Sequence, residues 1–172
     1  WERDKDVGLV VIKAEGRAFC TGGDIAAAYH AMRAGTPPVD FFADEYRLNA
    51  ALARFPKPCV SLIDGIVMGG GVGISQPAKF RVATENTRFA MPETGIGLIP
   101  DVGGTWLLGR APGRIGEYLA MTGGRMTAGD AIHAGFADMY IPEADWPGLI
   151  AMLEDSGDVT GLRGHPAPAA RS

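Results

Sequence analysis

Two glycine runs stand where a turn of the main chain could bind a negatively charged atom. Gly22-Gly23 occurs in the segment RAFCTGGDI and Gly69-Gly70-Gly71 in IVMGGGVG, each between a predicted strand and a predicted helix. Glycine lets the main chain approach a ligand closely, and a helix start leaves N–H groups without acceptors. Two such turns facing each other could direct two N–H donors at one oxyanion. Taken alone, either run is more simply explained as a tight turn or a close helix contact.

Two carboxylates lie in apolar surroundings further along the chain. Glu93 and Asp101 occur in MPETGIGLIPDVGG, where their neighbours are apolar residues, glycine and proline. Such surroundings change the proton affinity of a carboxylate, and two of them beside an oxyanion site could act as base, nucleophile and acid. The alternatives are a helix cap or surface turn at Glu93 and an ordinary turn residue at Asp101.

Glu45 is a third candidate acid. In a predicted helix it shares one face with Phe41, Leu48 and Leu52, at spacings i, i+4, i+7 and i+11. A carboxylate within an apolar stripe indicates an acid that is buried or faces a cleft. The spacing alone favours the simpler explanation, an acid at the edge of the stripe that is paired with Arg47, Arg54 or water.

The composition excludes several classes of protein. The chain has 172 residues, of which 47% are apolar and 21% charged, as in an ordinary globular domain. A net charge of -4 gives no electrostatic basis for binding nucleic acid or an anionic membrane, and no apolar run approaches the roughly 18 residues of a membrane span. The two cysteines, Cys20 and Cys59, suit a reducing compartment. With no visible signal peptide, we expect a cytoplasmic location, or the mitochondrial matrix in a eukaryote.

Several common active-site motifs are missing from the sequence. There is no phosphate-binding P-loop, and Gln76 takes the place of the third glycine of a dinucleotide-binding fingerprint. Ser75 lies in GISQP rather than in the nucleophile motif G-x-S-x-G. His30, His133 and His165 have no histidine or cysteine neighbours at metal-ligand spacing. These absences argue against an NTPase, a dehydrogenase, a serine hydrolase and a zinc enzyme.

Strand patterns alternate with helix patterns along the chain. Strands are predicted over residues 7–12, 58–64, 79–84, 88–91 and 137–141. Helices are predicted over residues 24–33, 40–55, 105–110, 113–121, 127–134 and 143–154, the first two capped by Asp24 and Asp40. This alternation predicts an α/β fold with parallel strand pairing. We expect a single domain over residues 1–172, with 156–172, rich in glycine, proline and alanine, as a loose tail.

Together these motifs resemble one known family. The segments AFCTGGDI, KPCVSLIDGIVMGGGVGIS and FRVATENTRFAMPETGIGLIPDVGGTWLL strongly resemble the crotonase (enoyl-CoA hydratase/isomerase) superfamily, in order and spacing, over about residues 7–141. The resemblance implies a spiral of ββα units. It also implies that an N-terminal strand region and C-terminal helices are missing, so that the domain core is incomplete.

The resemblance assigns roles to individual residues. It places the oxyanion hole at the backbone N–H groups of Gly23 and Gly70, where the thioester carbonyl of an acyl-CoA substrate would bind. It implies further substrate contacts at Ala18, Cys20, Gly22 and Asp24. Coenzyme A would belong to the substrate, and no resident metal or redox cofactor is expected. The resemblance also implies that the chain can form a homo-oligomer.

The acids indicate a branch within this superfamily. Enoyl-CoA hydratases carry one glutamate shortly after the triple glycine and a second further along, whereas here the first position is Gly73 and only the second, Glu93, is present. Asp101 stands where hydratases have glycine. This pairing resembles the 3-hydroxyisobutyryl-CoA hydrolases, in which a glutamate matching Glu45 also lines the substrate pocket. The implied activity is hydrolysis of a 3-hydroxyacyl-CoA thioester, as in valine degradation.

Two alternatives stay open at this point. An enoyl-CoA hydratase or isomerase would use the same fold and the same oxyanion hole. A non-catalytic acyl-CoA-binding subunit would keep the pocket without the chemistry. The presence of both glycine turns together with Glu93 and Asp101 argues against the second alternative.

Overall fold

Seven strands form two parallel sheets in the computed structural model, which describes residues 1–170. The four-stranded sheet has the order β1 (Val10–Lys13), β3 (Cys59–Ile63), β5 (Phe80–Ala83) and β7 (Met139–Tyr140). The three-stranded sheet has the order β2 (Ala18–Cys20), β4 (Ile66–Met68) and β6 (Arg88–Ala90). Because successive strands alternate between the sheets, every neighbour within a sheet is reached by a crossover. The predicted α/β class with parallel pairing is confirmed.

Helices lie in some of the connections between these strands and after the last strand, β7. They are α1 (Ile25–Arg33), α2 (Val39–Ala53), α3 (Gly70–Ser75), α4 (Gly104–Leu108), α5 (Ile115–Thr122), α6 (Ala128–Ala134) and α7 (Trp146–Ser156), with 3₁₀ turns at Glu93–Ile96 and Glu143–Asp145. In the described part of the chain, none of these helices is long and apolar enough to cross a membrane.

The register of the smaller sheet determines which loops meet. Ala18 pairs with Ile66, which pairs in turn with Arg88, so β2, β4 and β6 run side by side in one direction. Their carboxyl ends therefore lie at one edge of the sheet. The segments that follow them, two glycine runs and the 3₁₀ turn that begins at Glu93, are brought to the same place.

Both faces of the larger sheet are covered. On β3, the sequence CVSLI is buried at every position, and alternate side chains point to opposite faces. One face packs with the smaller sheet in a cluster that includes Ile63, Val67 and Phe89. The other face packs with α7 in a second cluster that includes Val60 and Leu62. The strand pairs that support the site are therefore embedded in the core.

The two predicted helix caps have different outcomes. Asp24 caps α1 as predicted, because its Oδ1 accepts a hydrogen bond of 2.9 Å from the Ala27 N–H. The predicted cap at Asp40 is wrong, since α2 begins at Val39 and Pro38 holds the cap position without a side-chain bond. Proline has a fixed φ suited to a helix start. Asp40 lies instead in the first turn, where a carboxylate interacts favourably with the helix dipole.

The predicted loose tail is wrong for residues up to His165. Leu162 is buried in the second cluster, together with Val60, Leu62, Val82, Ile141, Trp146 and Leu153. The His165 N–H donates a hydrogen bond of 2.8 Å to the carbonyl of Tyr140, on the last strand. Its imidazole lies 3.2 Å from Asp145. A glycine- and proline-rich composition did not reveal these contacts because one buried leucine fixes the segment.

Replacement of Leu162 by alanine tests this role of the tail. We expect Leu162→Ala to lower the free energy of unfolding by about 2–4 kcal/mol, because it removes a buried side chain and leaves a cavity. The matched control is Leu48→Ala, whose leucine is 49% exposed and should cost under about 0.5 kcal/mol. Urea unfolding followed by circular dichroism measures both. Equal stabilities for the two variants would mean that the tail does not contribute to the core.

Candidate active site

The carboxyl ends of β2, β4 and β6 open into a cavity of about 490 Å³. Helices α1 and α2 form its other walls, and Phe41, Ile96 and Leu98 give it apolar sides. Most of the residues that the sequence assigned to the site line this cavity, namely Gly22, Gly23, Asp24, Glu45, Gly70, Glu93 and Asp101. The fold thus gathers these predicted residues, although they lie up to 79 positions apart in the sequence (101 − 22 = 79).

Ala18 and Cys20 are not among the described residues that line the cavity. Both belong to β2, where Ala18 pairs with Ile66 of β4. The carbonyl of Cys20 packs directly against Gly71, so that a Cβ atom on Gly71 would collide with it. Cys20 thus holds β2 against α3, while Ala18 joins β2 to β4.

The two glycine turns lie against each other at the floor of the cavity. A Cβ atom on Gly22 would be 3.0 Å from the Gly70 nitrogen, and one on Gly70 would be 3.3 Å from the Gly22 Cα. Gly22 and Gly69 also have positive φ angles of 89° and 53°, which side chains disfavour. Within residues 1–170, neither the Gly23 N–H nor the Gly70 N–H donates to a protein acceptor. Both donors are available to a bound oxygen.

Glu93 places a buried carboxylate beside these turns. Its side chain is only 7% exposed, and its Oε2 has no hydrogen-bond partner among the described residues. A Cβ atom on Gly69 would be 3.1 Å from Glu93 Oε1, so the carboxylate lies against the second glycine run. Burial raises the pKa of Glu93, a hydrogen bond from its own backbone opposes this, and the charge of Asp101 raises it further. A base with a raised pKa accepts a proton more readily.

Glu45 reaches the same floor from α2. Its Oε1 lies so close to Gly70 that any side chain there would collide with it. Burial raises the pKa of Glu45, and the charge of Asp101 raises it further. Glu45 lines the wall of the cavity. The rest of the predicted stripe is less buried than expected, since Phe41 and Leu48 are each 49% exposed.

Tyr46 is a residue of the site that sequence reasoning missed. Its hydroxyl donates a hydrogen bond of 2.6 Å to Asp101 Oδ2. This bond, followed by burial and by the charges of Asp101 and Glu45, raises the pKa of Tyr46 to about 12. The phenol therefore stays protonated and remains a donor to Asp101. The hydrogen-bond partner of Tyr46 lies 55 residues away in the sequence. The only sign in the sequence that Tyr46 belongs to the site was therefore its position next to Glu45.

Gly73 has no space for a side chain. A Cβ atom there would lie 2.6 Å from Val102 Cβ and 2.9 Å from Asn49 Nδ2. Gly73 itself is buried on α3. This backbone and its neighbours therefore exclude a glutamate at position 73, the position at which the sequence analysis expected an acid in hydratases.

Comparison with known proteins identifies the family. A family model described as enoyl-CoA hydratase/isomerase matches residues 1–165. The chain belongs to the enoyl-CoA hydratase/isomerase family. The predicted crotonase-like fold is confirmed by a solved structure described as an enoyl-CoA hydratase from Rhodobacter sphaeroides, with a TM-score of 0.93 and 56% identity, covering 98% of this chain and 50% of that one. A carnitinyl-CoA dehydratase from Mycobacterium thermoresistibile has a TM-score of 0.87 and 49% identity, covering 91% and 47%.

Two curated relatives of this chain are named as hydrolases, whereas the similar solved structures are described as a hydratase and a dehydratase. The mitochondrial 3-hydroxyisobutyryl-CoA hydrolase of Xenopus tropicalis is 53% identical over 151 residues, which are 87% of this chain and 39% of the relative. The enzyme of the same name from Rattus norvegicus is 55% identical over 143 residues, or 82% and 37%. The chain thus spans about two fifths of these relatives and about half of the similar solved structures.

The raised pKa of Glu93 predicts how the free energy of unfolding depends on pH. Because its pKa is higher in the folded chain than the ordinary 4.5, the ionised carboxylate destabilises the fold at neutral pH, and this cost disappears as the pH falls below 4.5. Glutamine removes the charge and keeps the shape. We therefore expect Glu93→Gln to be more stable than the parent chain at pH 7–8, with the difference shrinking to zero near pH 4. Urea unfolding across this pH range measures it.

The matched control is Glu154→Gln, which changes an exposed glutamate of α7. The difference in free energy of unfolding between Glu154→Gln and the parent chain should not increase with pH. A Glu93→Gln variant that is less stable than the parent chain at pH 8 would mean that the buried carboxylate has a stabilising partner.

Proposed function

We propose that this chain is the catalytic core of an acyl-CoA thioester hydrolase that acts on 3-hydroxyisobutyryl-CoA or a similar 3-hydroxyacyl-CoA. The observation that carries the proposal is the buried carboxylate of Glu93. Among residues 1–170 its Oε2 has no hydrogen-bond partner, and it lies beside two backbone N–H groups that donate to no acceptor there. Asp101 adds a second acid in the same cavity. The names of the Xenopus and rat relatives support the substrate.

In the proposed reaction, the thioester oxygen binds between the N–H groups of Gly23 and Gly70. Attack on the carbonyl carbon moves negative charge onto this oxygen, and each donor then lowers the barrier by about 3 kcal/mol. Glu93 either attacks the carbon itself, giving a mixed anhydride, or takes the proton of an attacking water. In both routes the C–S bond breaks and coenzyme A leaves as a thiolate that is then protonated. In the first route a water molecule afterwards cleaves the anhydride, which releases the 3-hydroxy acid and restores the Glu93 carboxylate.

Asp101 and Glu45 act on the 3-hydroxyl end of the substrate, and Asp101 also assists proton transfer to the leaving thiolate. Asp101, held by the hydroxyl of Tyr46, orients the 3-hydroxyl group or the water and assists proton transfer to the thiolate. Glu45 hydrogen-bonds the 3-hydroxyl from the α2 wall. A thioester is already a good electrophile with a good leaving group. We therefore include no resident metal or redox cofactor in the reaction.

An enoyl-CoA hydratase is the second candidate function. It is favoured by the description of the Rhodobacter sphaeroides structure, which is 56% identical to this chain. Against it stands Gly73, where Val102 and Asn49 fill the space of a second glutamate. Water addition by two glutamates has no room on this backbone, whereas hydrolysis by Glu93 and Asp101 does not need that space.

Partners and location are part of the same proposal. The substrate is an acyl-CoA, and the chain can associate with further copies of itself. The vertebrate relatives are named as mitochondrial, which supports the mitochondrial matrix for a eukaryotic source and the cytoplasm otherwise.

Substitution of the two acids tests the reaction. We expect the chain to release free thiol from 3-hydroxyisobutyryl-CoA, and Glu93→Gln or Asp101→Asn to lower kcat by roughly 10²–10⁴-fold, the usual contribution of an acid–base group. Because the pKa of Glu93 is raised, activity should fall with decreasing pH before an ordinary glutamate would protonate. A thiol reagent measures the rate, and Glu154→Gln is the control.

Crotonyl-CoA separates the candidates. The loss of the enoyl absorbance measures hydration of crotonyl-CoA. Hydration that is faster than thiol release from 3-hydroxyisobutyryl-CoA would favour the hydratase. Full thiol release by Glu93→Gln would contradict the role given to that residue. Binding of acyl-CoA with neither reaction would point to a non-catalytic subunit.

Replacement of Tyr46 by phenylalanine removes only the hydroxyl that donates to Asp101. We expect Tyr46→Phe to lower kcat about tenfold, since a lost hydrogen bond to a charged group is worth about 1.5 kcal/mol or more. KM for the acyl-CoA should change less than kcat. Tyr118→Phe is the control, because Tyr118 is 64% exposed and does not line the cavity. An unchanged kcat for Tyr46→Phe would show that Asp101 needs no support from α2.

A further inference from the structure

The turn that follows Asp101 has a backbone that its sequence does not favour. The Gly104 N–H donates a hydrogen bond of 2.6 Å to the Asp101 carbonyl, which closes a four-residue turn. Both central residues have positive φ, 46° at Val102 and 86° at Gly103. This is the pattern of a type I′ turn, whose central positions are normally glycine, asparagine or aspartate. A β-branched residue at the first of them is a marked outlier.

Val102 is kept in this conformation by a notch in the neighbouring helix. Its side chain is buried, with only 9% exposed. Its Cβ lies 2.6 Å from the place that a Cβ on Gly73 would take, so the valine rests directly on the bare backbone of α3. Asn49 closes the same space from α2. The strain at Val102 persists because packing on two helices determines where its side chain lies.

The turn itself does not need this valine. Glycine or asparagine at position 102 would form the same turn without strain, but neither would fill the notch at Gly73. The valine adds a rigid attachment, because a residue whose side chain is fixed in the core restricts the backbone motion of the residues next to it. The neighbour is Asp101, whose carboxylate faces the cavity and accepts the hydrogen bond of Tyr46.

We propose that Val102, seated in the notch of Gly73, is a positioning residue that fixes the Asp101 carboxylate relative to Glu93 and Glu45. The proposal rests on the proposed function in so far as Asp101 takes part in catalysis. The strain is useful in this arrangement, since the turn and the packing together leave Asp101 a single position. Asp101 is thereby held from two sides, by Tyr46 through its side chain and by Val102 through its backbone.

Carboxyl-carbon NMR titration tests the position of Asp101 without relying on activity. The charge of Asp101 contributes to the raised pKa of both Glu45 and Glu93. In Val102→Ala the notch is only partly filled, Asp101 becomes mobile, and both glutamates should titrate at lower pH than in the parent chain. Their signals are assigned in the full chain, labelled with ¹³C at glutamate, by comparison with Glu93→Gln and Glu45→Gln.

The control removes the same atoms from a remote part of the core. Val60→Ala loses a fully buried valine in the cluster beneath α7. It should destabilise the fold at least as much as Val102→Ala and leave both glutamate titrations unchanged. Gly73→Ala is the second test variant, because its methyl group pushes Val102 out of the notch from the other side, and it should shift the titrations in the same direction.

Thiol release measured on the same proteins separates this proposal from the proposed function. We expect Val102→Ala to lower kcat about tenfold with little change in KM, and Val60→Ala to leave kcat within about twofold. Glutamate titrations that stay at the parent pH in both Val102→Ala and Gly73→Ala would overturn the positioning role, whatever happens to the rate. Shifted titrations with unchanged thiol release would support the positioning role and contradict the role of Asp101 in hydrolysis.

Discussion

Two stretches of main chain approach each other so closely at Gly22 and Gly70 that a side chain on either one would press against the other. This approach is the constraint on which the site depends. It exists because β2 and β4 pair in parallel and end at the same edge of the smaller sheet. A shift of that register by one residue would turn the alternating side chains to the wrong faces and separate the two N–H donors. The core of the protein therefore serves mainly to hold two peptide groups in place.

The acids around this floor are arranged at a cost to the fold. Glu93 is buried, with no partner for Oε2 in the part of the chain that the structure describes, and Glu45 and Glu93 both lie within the electrostatic field of Asp101. A structure selected for stability alone would pair or expose these groups. The strained Val102 adds to the same cost. These three departures from local rules, at Glu45, Glu93 and Val102, all lie in or next to the cavity, as is expected where a site has been selected for chemistry.

Much of the fold and of the site could be predicted from the sequence, because the signals concerned are local. The glycine runs, the buried strand CVSLI and the cap at Asp24 each depend on residues within a few positions of one another. The convergence of Glu93 and Asp101 on the glycines followed from the order of the motifs rather than from any single spacing.

The features that could not be predicted depend on contacts between distant residues. Tyr46 owes its role to Asp101, 55 positions away, and nothing in DEYRLN distinguishes a tyrosine that donates into a site from one that faces water. Leu162 looked like part of a loose tail, because the cluster that buries it includes strand residues about 100 positions earlier, such as Val60. The notch at Gly73 becomes visible only when Val102 lies against it.

Helices α1 and α2 form one wall of the cavity, yet none of their residues, all of which the structure describes, is buried. They are inserted between β2 and β3 and contribute little to the two core clusters. Different parts of the cavity therefore tolerate amino-acid substitution to different degrees. The glycines of the floor cannot vary without disturbing the sheet, whereas exposed positions on the wall, such as Phe41, can vary without disturbing the core. A scaffold of this kind can diversify its choice of acyl group at the exposed positions of one pair of helices, as long as Glu45 and Tyr46 keep their places beside Gly70 and Asp101.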